Sequence, residues 1–267
     1  MLRGFYTAAS GMLTQQRYQE ALGNNIANMN TPGYKADQAT IRSFPEMLIQ
    51  AQGNRKLPTH RNVHIPINQT IGSINTGVYV QEFVPNFSQG AIRETGMPTD
   101  LALVQTEVPD ETGGLFFRVQ NEAGEERLTR NGNFTIDGNG FLVTNQGYYV
   151  LSDAGTPIQP GNENFVVTDN GVLQTETQTI PLGIGYVADV NGLTKEGDNL
   201  YEGEAGAVPA GSEYTIRQGY LEGSNVDAAR TMTEMLNAYR AFELNQRVLR
   251  AYDESLGKAV SDIGRIG

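Results

Sequence analysis

The sequence predicts an α+β protein in which N- and C-terminal helices form a coiled-coil-like helical domain around a β-rich middle domain. Three contrasts between the ends and the middle predict this class. Residues 67–220 hold 22 of the 31 glycines, and they carry twenty acidic against six basic side chains. Residues 1–66 carry seven basic and three acidic side chains. Both ends are rich in Ala, Leu, Met, Gln and Arg, which favour helix. The predicted domains are residues 1–30 with 225–267, an extended connector at 31–70, and a β-rich outer domain at 71–224.

The first predicted element is an N-terminal helix from Leu2 to about Met29. It should end near Asn30–Gly33, because the residue before Pro32 is pushed out of helical geometry and Gly33 permits a turn. Glutamines dilute its apolar face, so the helix is marginal alone in water and needs a partner. That partner is a second helix, either of the same chain or of another subunit. The apolar residues at helical spacing are Leu2, Phe5, Ala9, Met12, Leu22 and Ile26.

The C-terminal segment is a predicted helix without proline from Val226 onward. Ser224 or Asn225 can cap it, and Asp227 lies near its positively charged N-terminal end. A strict seven-residue spacing keeps one narrow seam facing a partner helix. The alternative is an amphipathic helix packed on its own domain. With the N-terminal set, the residues of this predicted assembly seam are Met235, Phe242, Leu249, Leu256 and Ile263.

The middle of the chain is predicted to be β-structure because turn signals recur along it. Residues 134–144 contain two short strand patterns around Asp137-Gly138-Asn139-Gly140, a hairpin signal. Further turn signals follow at intervals of about ten residues, which suits a small antiparallel sandwich or barrel-like domain. Residues 35–70 contain prolines at 45, 58 and 66 and no firm period. They are therefore predicted to form an extended connecting segment.

Composition excludes several classes of function. The net charge of −11 argues against binding to nucleic acid or to an anionic membrane, both of which need basic side chains. No apolar run approaches the ~20 residues that span a bilayer. The N-terminal residues lack the hydrophobic core of a signal peptide, so we do not expect the general secretory route. Cysteine is absent, which removes disulfides and thiolate chemistry.

No motif predicts catalysis, a cofactor, a metal or a small-molecule substrate. The two histidines, His60 and His64, are bracketed by prolines and lack an evident third metal ligand. Residues 183–188 match the dinucleotide pattern G-x-G-x-x-A. That pattern needs a helix immediately after it, and residues 189–192 indicate a turn instead. We therefore expect a protein that is not an enzyme.

Residues 23–35, which read GNNIANMNTPGYK, resemble the N-terminal signature of the bacterial flagellar axial proteins. The opening stretch at 2–12 is similar to that family's start, and residues 218–226 and 238–243 are similar to its C-terminal pattern. Residues 130–144 and Gly147 are similar to its middle domain. The motif residues by this resemblance are Asn24, Asn25, Ala27, Asn28, Thr31, Gly33 and Tyr34.

Within that family the chain looks most like the rod proteins of the flagellar basal body, and the hook protein is the nearest alternative. The resemblance implies a structural subunit that assembles through its terminal helices into a hollow shaft carrying torque from motor to hook. It implies as partners other copies of the chain, other rod and hook proteins, and the flagellar export apparatus. It also implies a basal-body location, reached by type III export without a cleaved signal peptide. Residues 104–113 depart from the family pattern as an insertion, which leaves the proximal or distal position open.

Two alternatives outside the family remain. The acidic β-rich body could be a carbohydrate-binding or adhesin module with a helical anchor. Such a module is expected to expose aromatic platforms, and the chain has no tryptophan. A hydrolase with an acidic pair would instead need a cleft whose carboxylates have shifted pKa values.

Overall fold

A computed structural model describes residues 2–56, 64–110, 112–197 and 199–264. It confirms the predicted order of an N-terminal helix, a β-rich middle and a C-terminal helix. The helices are α1 (Leu2–Ala27) and α2 (Ala228–Gly264). Strands in the first half of the chain are β1 (Asp37–Ser43), β2 (Met47–Lys56), β3 (His64–Ile74), β4 (Val78–Pro85), β5 (Ile92–Glu94), β6 (Leu101–Glu107), β7 (Gly114–Gln120), β8 (Glu126–Thr129) and β9 (Phe134–Ile136).

The second half of the chain continues with shorter strands and one 3-10 turn at Val190–Gly192. These strands are β10 (Leu142–Thr144), β11 (Tyr149–Val150), β12 (Val166–Val167), β13 (Val172–Gln174), β14 (Thr179–Pro181), β15 (Ile184–Val187), β16 (Thr194–Gly197), β17 (Leu200–Glu202), β18 (Glu213–Gln218) and β19 (Tyr220–Glu222).

The chain divides into two compact units. The helical unit comprises residues 1–23, 39–83 and 232–267, and the β-rich unit comprises residues 24–38 and 84–231. These bounds differ from those expected from composition, because the sequence motif at 24–34 belongs to the β-rich unit. Within the described residues no helix has the length and apolar character needed to cross a membrane.

Much of the segment expected to be an extended connector forms regular β-structure. β2 and β3 form a long antiparallel hairpin, in which Met47 pairs with Ile74 and Lys56 pairs with His64. Pro66 lies in β3 opposite Asn54, and a two-stranded hairpin tolerates proline because both of its strands are edges. His60 lies outside the described residues, as do the other residues from 57 to 63.

In the helical unit α1 and α2 contact each other in antiparallel order. The Tyr18 hydroxyl lies 3.1 Å from a carboxylate oxygen of Glu234. A Cβ added to Gly11 would meet the Asn245 amide at 3.0 Å, and one added to Gly4 would overlap the Tyr252 hydroxyl. Positions 4, 11 and 18 are seven residues apart, so they share one face of α1. The two glycines leave the space that the larger side chains of α2 occupy.

The β-rich unit is built from antiparallel pairings. Its largest sheet has the order β16-β17-β8-β7-β11-β10-β9, and β15 pairs with the first half of β7. The predicted hairpin at 134–144 is confirmed as β9 and β10, with Leu142 opposite Ile136. Buried apolar side chains gather around Phe117 and Phe134, whose ring centroids lie 5.3 Å apart in an edge-to-face arrangement.

The cap of α2 differs from the prediction. Asp227, rather than Ser224 or Asn225, caps the helix, since its carboxylate accepts the amide of Arg230 at 3.1 Å. Ser224 accepts the amide of Val226 at 3.3 Å instead. The amide side chain of Asn225 is already engaged by the backbone of distant residues, and that engagement keeps it from the helix.

Glycine-to-alanine changes on the two helices test their contact. Gly257 of α2 has no atom within 4 Å of an added Cβ, so Gly257→Ala should stabilise the helical unit by about 0.5–1 kcal/mol through helix propensity. Gly4→Ala should gain less or lose stability, because the methyl group displaces the Tyr252 ring. Chemical denaturation followed by circular dichroism measures both. If Gly4→Ala and Gly257→Ala gain the same stability, and adding Tyr252→Ala does not change the gain of Gly4→Ala, then Gly4 and Tyr252 are not in contact.

Candidate functional site

The candidate site is the set of contacts that the motif segment, residues 24–37, makes inside the β-rich unit. Two asparagines and a threonine first close the end of α1. The Asn28 side-chain amide donates to the carbonyl of Asn24 at 3.0 Å and to its side-chain oxygen at 2.8 Å. The Thr31 hydroxyl lies 3.2 Å from the Asn28 side-chain oxygen. The Asn24 carbonyl also accepts the Asn28 backbone amide at 3.1 Å, so these side-chain bonds reinforce the last turn of α1.

Asn25 holds the chain as it leaves the turn. Its side-chain oxygen accepts the backbone amide of Asp37 at 2.9 Å, and its amide donates to the Asp37 carbonyl at 2.9 Å. The same oxygen accepts the Tyr34 hydroxyl at 3.0 Å. Asn25 is only 4% exposed, so the two-point bond is shielded from water.

At Gly33 the backbone of the motif segment lies directly against the backbone of the rest of the β-rich unit. The Gly33 amide donates to the carbonyl of Glu222 at 2.8 Å. Its φ of +67° lies in the left-handed region that favours glycine. A Cβ there would lie 2.6 Å from the Arg130 carbonyl oxygen and would overlap the Asn131 backbone. No other residue fits without moving the backbone.

Tyr34 is buried beneath a lysine. The Lys195 ammonium lies 4.4 Å from the centre of the Tyr34 ring and 2.8 Å from a carboxylate oxygen of Asp37. Burial, with Asp37 nearby, raises the pKa of the Tyr34 hydroxyl well above its usual range. Tyr34 therefore remains a neutral donor to Asn25.

The centre of the site is an ion cluster of Lys35, Glu222 and Arg130. The Lys35 ammonium lies 2.6 Å from one carboxylate oxygen of Glu222 and donates to the Ser88 carbonyl at 2.8 Å. The same carboxylate oxygen accepts the Gly90 amide at 2.9 Å. The Arg130 Nε lies 3.2 Å from the other oxygen, in an ion pair whose geometry is not that of a hydrogen bond.

All three members of the ion cluster are almost fully buried, at 1%, 1% and 4% exposure for Lys35, Glu222 and Arg130. Burial lowers the pKa of Lys35 to about 8, opposed by the attraction of Glu222 and reinforced by Arg130. Burial likewise lowers the pKa of the Arg130 guanidinium. Removing one partner of a buried pair costs about 3–5 kcal/mol, because the remaining charge is left uncompensated.

Asn225 closes the site from the C-terminal side of the chain. Its side-chain oxygen accepts the Ala36 amide at 2.8 Å, and its amide donates to the Asn86 carbonyl at 2.7 Å. The Asn199 amide donates to the Pro32 carbonyl at 3.3 Å. The backbone of the motif segment is thus bound to the rest of the β-rich unit at Pro32, Gly33 and Ala36.

The structure brings the predicted motif residues together, but they differ in burial. Asn25, Gly33 and Tyr34 are buried, whereas Asn28 and Thr31 are half-buried and Asn24 and Ala27 are exposed. The sequence patterns assign no role to Lys35, Arg130 or Glu222, and they assign Asn225 only to the cap of α2. The signal available was a charged or amide residue inside segments that already carried the family resemblance.

The predicted assembly seam lies partly at the surface of the single chain. Leu22 is buried, and the side chains of Leu2 and Ile263 lie outside the described residues. The remaining seam residues are half-buried: Phe5, Ala9, Met12, Ile26, Met235, Phe242, Leu249 and Leu256. The most buried described helix positions of the single chain are instead Ala8, Thr14, Leu22, Asn25 and Ala238.

Chemically, the contacts of the site bind one segment of the chain to another. Among the described residues no cluster of three His, Asp or Glu side chains could hold a metal ion. Residues 184–187, inside the dinucleotide-like pattern, form a strand followed by the 3-10 turn that Asp189 caps. This confirms the turn that led us to reject the pattern.

Three parts of the chain match known protein families: one near the N-terminus, one in the middle and one near the C-terminus. Residues 5–35 match the family described as flagella basal body rod protein, and residues 112–175 match the flagellar hook protein FlgE/F/G D1 domain. Residues 217–262 match the C-terminal family of flagellar basal body rod FlgEFG proteins.

Whole-length relatives agree with these matches. The chain is 42% identical, over 100% of both chains, to the flagellar hook-basal body complex protein FlhO of Bacillus subtilis. It is 31% identical to the flagellar basal-body rod protein FlgG of Borreliella burgdorferi, covering 97% of this chain and 98% of that one. It is also 31% identical to FlgG of Bacillus subtilis, covering 98% and 99%. The chain belongs to the family of flagellar basal-body rod proteins, which confirms the resemblance seen in its motifs.

Gly33→Ala tests the close approach of the motif segment. It should destabilise the β-rich unit by more than the ~1 kcal/mol that a left-handed alanine costs, because the methyl group also overlaps the Arg130 and Asn131 backbone. Gly96→Ala is the matched control, since Gly96 has a φ of +71° but open space around its Cβ. Urea unfolding measures both. Equal losses would show that the contact with Arg130 does not constrain the site.

The lowered pKa of Lys35 predicts a pH dependence. The pKa is 10.5 in the ordinary lysine and about 8 in the folded chain. Between these values the unfolded chain binds a proton that the folded chain has lost, so the free energy of unfolding rises with pH. Above pH ~8 the free energy of unfolding of the native chain should therefore rise relative to that of Lys35→Met. The rise should be at most about 1.4 kcal/mol per pH unit, which is the limit for a difference of one bound proton.

Urea unfolding from pH ~7 to ~9.5 checks this slope, and Lys258→Met, at an exposed lysine of α2, is the control. The range stops below pH ~10 because the raised pKa values of Tyr34 and Tyr201 oppose the trend there. A difference between native and Lys35→Met chains that stays flat or falls with pH would contradict the account.

Proposed function

We propose that this chain is a structural subunit of the flagellar basal-body rod, assembling through its terminal helices into a hollow helical shaft that transmits torque from motor to hook. The observation that carries the proposal is the pair of terminal helices with apolar side chains on their solvent faces. Six of these side chains are more than half exposed in the single chain: Tyr6 63%, Leu13 57%, Leu236 59%, Tyr239 53%, Leu244 60% and Val260 71%. Burying such side chains between copies is favourable by about 25 cal/mol per Å² of apolar surface.

The assembly we propose is a coiled-coil-like helical domain. The antiparallel contact of α1 and α2 within one chain leaves the exposed apolar side chains for contacts with other copies. Repeated contacts that do not close on themselves produce a filament with helical symmetry rather than a ring. The seam residues Phe242, Leu249 and Leu256 are half-buried in one chain and would become fully buried in the shaft.

The partners we propose are further copies of this chain, other rod and hook proteins, and the flagellar export apparatus. Export by that apparatus without a cleaved signal peptide would place the protein in the basal body, outside the cytoplasmic membrane. We propose no enzymatic activity, no small-molecule substrate and no nucleic acid. The acidic excess of the β-rich middle supports the last point.

The hook subunit is a second candidate. The match of residues 112–175 to a domain described for a hook protein favours it. Fractionation separates the two: a rod subunit stays with purified basal bodies after the hook is removed, whereas a hook subunit leaves with the hook. Loss with the hook would transfer the assignment to the hook.

Leu249→Asp tests the role of the terminal helices. A charge placed at a seam that becomes buried should block assembly, at a cost of several kcal/mol per interface (about 3–5). We expect the variant to be made, exported and soluble but absent from basal bodies. Immunoblotting of secreted and basal-body fractions measures this.

Arg250→Glu is the control, because Arg250 is exposed and lies off the seam. It should enter basal bodies far better than Leu249→Asp. A Leu249→Asp variant whose isolated monomer melts many degrees lower would show instead that Leu249 belongs to the core of the single chain. Normal incorporation of Leu249→Asp would remove the seam from the assembly.

A further inference from the structure

The β-rich unit contains a cavity of about 430 Å³ beside the ion cluster. Its lining includes Arg130 and Ser88, whose carbonyl binds Lys35, as well as Gln105 and Thr106 from β6. The insertion at 104–113 contributes part of the wall, namely Gln105, Thr106, Val108, Thr112 and Gly113. The cavity therefore lies between the insertion and the buried ion cluster, and residues of both line it.

Arg130 is the charged group in this lining, and its donors are only partly used. Its Nη1 donates to the Leu115 carbonyl at 2.8 Å, and its Nε is paired with Glu222. No residue in the described part of the chain accepts a hydrogen bond from Nη2. A guanidinium carries five N–H donors in a rigid fork suited to carboxylates, so an unused arm is an available site for one.

The charge of the ion cluster points to the same ligand. Lys35 and Arg130 contribute two positive charges, and Glu222 contributes one negative charge. The neighbouring pair of Lys195 and Asp37 is balanced and adds nothing to the excess. A buried charge without a counter-charge is costly, and a carboxylate beside Arg130 would neutralise it.

The cavity is held open by bonds within its own wall. The Gln105 side chain donates to the Gly113 carbonyl at 3.2 Å and accepts the Leu115 amide at 3.1 Å. These bonds join Gln105, a β6 residue within the insertion, to the start of β7. The cavity therefore does not need a ligand to form, and a ligand would find its walls already in place.

We propose that this cavity binds a single carboxylate group, which Arg130 holds through its free guanidinium arm. Two sources can supply that group. One is an acidic side chain of an adjacent copy in the shaft, since residues 67–220 carry twenty acidic side chains. The other is a free carboxylate in solution. The binding step stands on the cavity alone, and only the first source rests on the proposed function.

The binding step is tested with acetate on the purified full-length chain, at constant ionic strength and with acetamide as the neutral ligand of the same shape. Acetate should cause saturable shifts in the amide resonances of Gly113 and Gly114, and acetamide should not. Absence of saturable shifts, or equal shifts with acetamide, would overturn the proposal.

A matched pair of variants at Thr106 makes the test specific. Thr106 is exposed, lines the cavity and lies at the irregularity where β6 pairs with β18, so replacing it should leave the fold intact. Thr106→Glu puts a carboxylate of the chain's own at the cavity, and it should weaken acetate binding about tenfold or more. Thr106→Gln, which has the size of the Thr106→Glu side chain without its charge, should bind acetate about tenfold or more tightly than Thr106→Glu does. Equal binding by both variants would also overturn the proposal.

The source is distinguished in cells that express each variant in place of the native chain. If the carboxylate comes from an adjacent copy, Thr106→Glu should be depleted from basal bodies relative to Thr106→Gln. If both variants enter basal bodies equally while only Thr106→Glu has lost acetate binding, the source is a free carboxylate. If the native chain and both Thr106 variants are all missing from basal bodies, the proposed function is refuted, and the result of the acetate experiment still stands.

Discussion

The buried carboxylate of Glu222 is the group on which the rest of the site depends. One of its oxygens binds the Lys35 ammonium and the Gly90 amide, and the other is paired with Arg130. The carbonyl of the same residue accepts the Gly33 amide. A carboxylate in this position is stable only while its partners remain, because desolvation of an unpaired charge costs several kcal/mol, about 3–5 for a broken pair. The motif segment is therefore bound in one place and in one register.

The ion cluster also connects the three segments of the chain that match flagellar protein families. Lys35 lies in the matched segment 5–35, Arg130 in 112–175 and Glu222 in 217–262. Each segment thus contributes one charge, and none of the three can satisfy its charge alone. Folding the β-rich unit requires residues near both ends of the chain to meet its middle. This suits a subunit whose terminal helices we propose as its assembly elements, because the chain leading to each helix is fixed to the β-rich unit.

Local signals made part of this fold predictable. The two helices and the hairpin at 134–144 follow from periodicity and from turn residues that lie within a few positions of each other. The hairpin of β2 and β3 was not predicted, because its pairing joins Met47 to Ile74 and no short turn signal marks it. The role of Asn225 was mistaken for a helix cap, since a cap is the local use of such a residue. Its actual partners, Ala36 and Asn86, lie more than a hundred residues away in the sequence.

The most direct test of the central claim is a double-mutant cycle between Lys35→Met and Glu222→Gln, measured by urea unfolding at neutral pH. Residues in contact within one buried network show coupling energies of about 0.5–3 kcal/mol. Because the two charged groups lie 2.6 Å apart and almost fully buried, we predict a coupling in the upper half of that range. The double variant should then be much less destabilised than the sum of the two single variants. Additive losses, with a coupling near zero, would show that the ion cluster does not hold the motif segment in the β-rich unit.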